Sequence, residues 1–277
     1  MTSTPNMGVP VPKRIRVHHL REMKKRGEKI TMLTAYDFPT ARILDEAGID
    51  MLLVGDSIGN NILGYESTIP VTLDEMVIAT RSVSRGASRA FVVADLPFGS
   101  YEASPEQAHA SAVRLVKEGG AAAVKLEGGR QMVPQVELLT RAGIPVVGHL
   151  GFTPQSENSI GGKRVQGRGH DAEEALVADA KALDQAGACA IVLEMVTGPV
   201  AARMTEVLSI PTIGIGAGPD VDGQVLVWTD VAGIGSWRPR FAEAFGNVEE
   251  ELYNAARRYS TAVREQAFPR AEHTYDS

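Results

Sequence analysis

Residues 104–127 read SPEQAHASAVRLVKEGGAAAVKLE, and this stretch decides the fold. Ser104 offers a hydroxyl to cap a helix, Pro105 suits its first position, and Gly119 and Gly120 end it. The apolar run that follows suits a strand buried on both faces, as in a parallel sheet. Helix, glycine, short loop, strand is the repeating unit of an α/β protein. The same texture recurs along the chain. PTARILDEAG (39–48), TLDEMVIATRSVSRG (72–86), MVPQVELLTRAG (132–143) and DAEEALVADAKALDQAG (171–187) read as helices that close on glycine. Short apolar runs at 29–35, 51–55, 91–94, 122–126, 145–149, 189–193, 211–216 and 225–228 read as strands.

Eight strands without a break in composition predict an α/β fold, a single (β/α)8 TIM barrel spanning 1–277. The rival, a doubly wound open sheet, lacks its glycine fingerprint after the first strand. Residues 14–29 are expected to form an N-terminal helix capping the barrel floor, and 247–268 a long amphipathic C-terminal helical extension. Residues 1–13 read as a loose lead-in and 269–277 as a loose tail.

The chain has 277 residues, 44% hydrophobic and 22% charged, with a formal net charge of −6. That balance argues against a nucleic-acid or anionic-membrane footprint. No stretch approaches the ~20 apolar residues that span a bilayer. The lead-in has no apolar signal core, although its freedom from acids and its Arg14 and Arg16 are also features of a transit peptide. A cytoplasmic location is expected. The single cysteine, Cys189, excludes an intrachain disulfide and reads as a small core residue.

In barrels of this kind the active site lies at the C-terminal ends of the strands. That edge carries Tyr36, Asp37, Asp56, Asp95, Glu127, His149, Glu194, the GIGAG loop (214–218) and Asp230. An acid after a strand often does no more than cap the next helix. So many on one edge, several followed by glycine-rich loops, are poorly explained that way. Clustered carboxylates repel unless a cation sits among them. Oxygen-only ligands select a hard divalent ion, most naturally Mg²⁺, whereas six scattered histidines and one cysteine give no zinc spacing.

Lys125 and Glu127 are two apart on a strand and so share a face. Lys125 is open to three readings: a buried ion pair, a Schiff-base lysine, or a fixed cation for a substrate carboxylate. His149 ends a strand, and a hydrogen-bonded core histidine is as good a reading as a ligand. The GIGAG loop could cradle a phosphate or simply let backbones approach closely. The long, basic, glycine-rich ENSIGGKRVQGRGH (157–170) reads as a lid or an interface element.

MLLVGDSIGNNILGYESTIPVTLDEM (51–76), VVADLPFGSY (92–101), AVKLEGG (123–129), VVGHLGFTPQ (146–155), LEMV (193–196) and IPTIGIGAGPDVDGQVLV (210–227) together resemble the ketopantoate hydroxymethyltransferase family. The resemblance runs from about Arg14 to about Phe245. It implies a barrel assembled as a homo-oligomer, a decamer. It also implies transfer of a one-carbon unit from 5,10-methylenetetrahydrofolate to the 2-oxo acid 3-methyl-2-oxobutanoate, with Mg²⁺, giving 2-dehydropantoate for pantothenate biosynthesis. By the matching motifs, Asp56 and Asp95 are expected to bind the metal and substrate, Glu127 to be a third metal carboxylate acting through water, and Ser57 and Lys125 to contact the substrate. Glu194 is expected to be the catalytic base, its pKa raised by desolvation on an apolar strand.

Two enzyme rivals remain. A Mg²⁺-dependent 2-oxo acid lyase of the phosphoenolpyruvate mutase kind would use a cysteine in a strand-end loop, but Cys189 opens its strand. A Schiff-base aldolase would use Lys125. A non-enzymatic binding barrel gives no reason for so many acids on one edge.

Overall fold

The computed structural model describes residues 13–275. Of the lead-in, residues 1–12 lie outside the described residues. The chain divides into two compact units, 1–226 and 227–277.

The first unit holds the whole barrel. Helix α1 (Val17–Arg26) leads into β1 (Ile30–Thr34), α2 (Phe38–Glu46), β2 (Met51–Val54), α3 (Leu73–Gly86), β3 (Phe91–Asp95), α4 (Pro105–Lys117) and β4 (Ala123–Glu127). Then come α5 (Val133–Arg141), β5 (Val146–Gly151), the one-turn α6 (Glu157–Ile160), α7 (His170–Gln185), β6 (Ala190–Glu194), α8 (Gly198–Val207), β7 (Thr212–Ile215) and β8 (Gly223–Leu226). The eight strands are all parallel and close in chain order, β8 pairing with β1.

Local chemistry sets the helix starts. Ser104 Oγ accepts from the Gln107 amide at 3.1 Å, and Thr72 and Glu75 form a reciprocal capping box. Asp37, one of the strand-end acids, accepts from Thr40 N at 2.8 Å and caps α2, so for this residue the capping explanation holds.

Strand periodicity builds the interior. Met51 and Leu53, Phe91 and Val93, Ala123, Val147, Ala190 and Val192 belong to one apolar cluster with Ile15, Leu20 and Met23 around α1. The helix before β1 therefore closes the lower end of the barrel, as its sequence predicts. Two residues further along the same faces stand Asp95, Lys125, His149 and Glu194, and Glu127 stands two beyond Lys125. Cys189 is buried in the lower cluster, and burial pushes its thiol up to about 12. It is a core residue at the wrong end for catalysis.

Three expectations change. Helix α8 is an additional element, which starts without a side-chain cap. The eighth strand runs 223–226 rather than 225–228, and β7 reaches it through a seven-residue connection, 216–222, with no helix. The GIGAG loop therefore opens onto a strand, lacks the helix N-terminus that a phosphate cradle uses, and lets Gly216 and Gly218 turn the chain with φ of 65° and 81°.

The second unit contains α9 (Trp228–Ala232) and α10 (Val248–Arg264), the long C-terminal helix expected from sequence. Asp230 lies in the first turn of α9 rather than at a strand end. A short 3-10 turn, Ala271–His273, occupies the segment read as a loose tail. Among the described residues no helix is long and apolar enough to cross a membrane.

Candidate active site

Four consecutive strands bring their terminal polar residues together. Parallel register sets Asp95 beside Lys125, Glu127 beside His149, and Gly151 beside Glu194. Lys125 Nζ lies 3.0 Å from Asp95 Oδ1 and 3.3 Å from His149 Nδ1. His149 Nδ1 stands 3.2 Å from Glu127 Oε1, and Nε2 stands 3.3 Å from Glu194 Oε2. Asp56 joins from the end of β2, where its amide donates to Asp95 Oδ2 at 3.0 Å. All five candidate ionisable groups from sequence thus enter one connected network, and His149 is its hinge.

Burial and charge act against each other here. Asp56, Asp95, Lys125, Glu127 and His149 are all buried. Burial, then the charges of Asp95 and Glu127, lift Asp56 to about 8. Burial also raises Asp95, although Lys125 and the Asp56 amide oppose it. For Lys125, burial alone would lower the pKa, but the charges of Asp95, Glu127 and Asp56 hold it above the ordinary lysine range. It stays an ammonium, which is the wrong form for a Schiff-base nucleophile. Burial and the Lys125 charge pull His149 down, yet its hydrogen bonds to Glu127 and Glu194 carry it up to about 9. Glu194 is the least enclosed of the set, its side chain 17% exposed.

Ser57 follows Asp56 and shares a 2.9 Å hydrogen bond with the Tyr36 hydroxyl. A Cβ at Gly55 would come within 2.6 Å of Ser57 Oγ, so glycine is what lets Ser57 fold back toward the strand end. Met195, immediately after Glu194, has φ +49°, an uncommon conformation for a residue with a side chain. Backbone bonds hold it there: Met195 N donates to Ile215 O at 2.9 Å, and Gln166 N donates to Met195 O at 2.7 Å. The 157–170 segment is thereby stitched to the strand end that carries Glu194, with Gln166 and Val196 forming a parallel bridge.

Two partners lay outside the sequence reading. Gln155, in the turn after β5, donates from its backbone to Glu127 Oε2 at 3.0 Å and from Nε2 to Asp56 Oδ2 at 2.8 Å. Tyr101 donates to Gln155 Oε1 at 2.6 Å. Both fall inside quoted motifs, VVADLPFGSY and VVGHLGFTPQ, but nothing in a loop pattern shows what a side chain reaches.

The donor set suits a hard cation. Asp95 Oδ1 and Glu127 Oε1 are buried and make no aligned hydrogen bond among the described residues, their ion-pair contacts notwithstanding. With the carboxylates ionised, negative charge exceeds what Lys125 and His149 supply. Among the described residues no three His, Cys, Asp or Glu side chains already stand in a metal cage. Asp56 and Asp95 could hold a hard cation such as Mg²⁺, water filling the rest of its shell. Glu127 has Oε2 held by the Gln155 amide, while Oε1 lies 3.2 Å from His149 Nδ1 without an aligned hydrogen bond.

The sequence profile described as ketopantoate hydroxymethyltransferase matches residues 14–271. The chain belongs to the ketopantoate hydroxymethyltransferase family. It is 58% identical over 276 residues to the 3-methyl-2-oxobutanoate hydroxymethyltransferase of Saccharopolyspora erythraea, covering 99% of this chain and 94% of that protein. Among solved structures, the fold is similar to that of 2,3-dimethylmalate lyase, a PEP mutase/isocitrate lyase superfamily member. The TM-score is 0.58 at 18% identity, covering 95% of this chain and 93% of the other. It is also similar to phosphoenolpyruvate phosphomutase from Streptomyces platensis subsp. rosaceus, with TM-score 0.59 at 14% identity, covering 95% and 92%. Those two likenesses concern the fold; the family is carried by the profile and the close relative.

Proposed function

We propose that this chain transfers a one-carbon unit from 5,10-methylenetetrahydrofolate to 3-methyl-2-oxobutanoate, giving 2-dehydropantoate in pantothenate biosynthesis. Membership of the ketopantoate hydroxymethyltransferase family at 58% identity to a named relative supports the reaction. The observation that carries the residue roles is the His149 bridge, which joins the Glu194 carboxylate to the cluster of Asp56, Asp95, Lys125 and Glu127.

Asp56 and Asp95 would hold Mg²⁺, with Glu127 behind them. When bound, the ion supplies Lewis acidity to the 2-oxo acid's carbonyl. Lys125 and Ser57 orient the 2-oxo acid, the ammonium balancing its carboxylate. Glu194 removes the C3 proton, and the electron pair left on C3 attacks the folate methylene carbon. A C–C bond forms at that carbon, both of its C–N bonds to folate break, one water supplies the new hydroxyl, and the C3 proton and the other proton of that water end on the two folate nitrogens. His149, with Nε2 3.3 Å from Glu194 Oε2, sets the charge environment in which that carboxylate sits.

Glu194→Gln should keep binding of Mg²⁺ and 2-oxo acid but lose exchange of the C3 hydrogen for deuterium, followed by NMR. Exchange at the parental rate would remove Glu194 from the base role. One-carbon transfer measured with EDTA and after Mg²⁺ is restored tests the metal requirement. A homo-oligomer, a decamer, fits the exposure of Leu252, Tyr253 and Tyr259 on α10, and a cytoplasmic location fits the biosynthetic role.

A further inference from the structure

Gln155 is 4% exposed and sits among charges while carrying none. Its amide orientation is determined by its neighbours. The Leu96 carbonyl can only accept, and it lies 3.0 Å from Nε2, so the NH2 group faces that side. The second Nε2 proton then goes to Asp56 Oδ2 at 2.8 Å. On the other side, Tyr101 accepts from Glu127 N at 3.2 Å and donates to Gln155 Oε1 at 2.6 Å. The Gln155 backbone N–H closes the ring on Glu127 Oε2 at 3.0 Å. One residue from the turn after β5 thereby grips one oxygen each of carboxylates from β2 and β4.

The consequence lies in which oxygens remain. Gln155 holds Oδ2 of Asp56, and Oδ1 is the carboxylate oxygen it leaves. Glu127 keeps Oε2 on Gln155 and Oε1 against His149. A neutral amide suits this task, because it orients carboxylates without cancelling the negative charge that draws a cation; a lysine or arginine there would cancel it.

We propose that Gln155 is a positioning residue for the reaction, locked by Tyr101, which presents Asp56 Oδ1 to the cation and substrate and holds Glu127 back from direct contact. This rests on the functional reading above.

The test compares the intact parent with Gln155→Met and Tyr101→Phe. Gln155→Met keeps the volume and the backbone N–H but removes all three side-chain amide contacts, to Leu96, Asp56 and Tyr101. Tyr101→Phe leaves the amide in place and removes its lock. Binding of Mn²⁺, used as the probe, is followed by the EPR signal of the free ion, alongside kcat, KM and thermal melting. Gln155→Met is expected to weaken Mn²⁺ binding about 10–100-fold, the range for outer-shell partners, and Tyr101→Phe to weaken it in the same direction by less. KM for the 2-oxo acid should rise in step with the metal affinity lost. A purely structural role would lower the melting midpoint and leave Mn²⁺ affinity unchanged well below it. Unchanged affinity in both variants overturns the inference, and Tyr101→Phe alone decides it if Gln155→Met does not fold. If the parent itself binds no Mn²⁺, the functional reading fails first and takes the inference with it.

Discussion

Removing the ammonium of Lys125 should unfold the barrel more readily than a neutral truncation of similar size would. Lys125 Nζ stands 3.0 Å from Asp95 Oδ1, with the two side chains 5% and 3% exposed. At that distance and an effective dielectric of about 20, the attraction is about 5–6 kcal/mol. Breaking a buried pair by deleting one partner costs about 3–5 kcal/mol, because the other charge is stranded. Lys125→Met, which keeps most of the stem's volume, should therefore lower unfolding stability at pH 7 by about 4 kcal/mol. At about 2–4 °C per kcal/mol for a large domain, the melting midpoint falls by roughly 10 °C. Adding Asp95→Asn removes the stranded charge and should recover a large part of the loss. Urea titrations of the parent, both single variants and the double variant close the cycle. A Lys125→Met variant within about 0.5 kcal/mol of the parent, or losses that simply add, would refute the reasoning. The same cation predicts that borohydride traps no substrate on the parent.

Asp45 provides a pH-dependent case away from the site. Burial would raise its carboxyl, but the amides of Ala90, Ser88 and Arg89 and the Ser88 hydroxyl outweigh it and hold the pKa below the ordinary value. A depressed carboxyl contributes stability above its unfolded pKa, about 3.9, and loses it as pH falls through the lower folded value. Asp45→Asn should thus cost about 1.5–3 kcal/mol at pH 7, with the gap from the parent closing below about pH 4 in denaturant titrations. Gly151→Ala should cost about 2–4 kcal/mol and slow C3 exchange, since φ is +93° and the new methyl would overlap the Glu194 carbonyl oxygen. Gly143→Ala, at φ +84° with open space around it, is the control and should cost only the backbone strain of about 1–2 kcal/mol, with exchange unchanged.

The barrel was legible because its signals are local. Ser104 and Pro105 start a helix by their own chemistry, and a run such as Ala121–Glu127 alternates with period two whatever it packs against. That alternation also placed Lys125 and Glu127 on one face. The missing helix between β7 and β8 is the exception, since a glycine loop of seven residues joining parallel strands has no local signature. Helix α8 hides for a related reason: no side chain caps its start.

The site was legible as a set of residues and illegible as a network. Which strand-end groups touch depends on register around the barrel, and register is not a property of any one strand. His149 shows this. Its sequence neighbours are apolar or glycine, yet cross-strand pairing sets it beside Glu127 and within 3.3 Å of Glu194. Glu194 is likewise placed by its neighbours: its side chain is 17% exposed and faces His149 of the adjoining strand at 3.3 Å. Since His149 also touches Glu127, which Gln155 holds, Glu194 on β6 and carboxylates from β2 and β4 lie along one line of contacts that no single strand encodes.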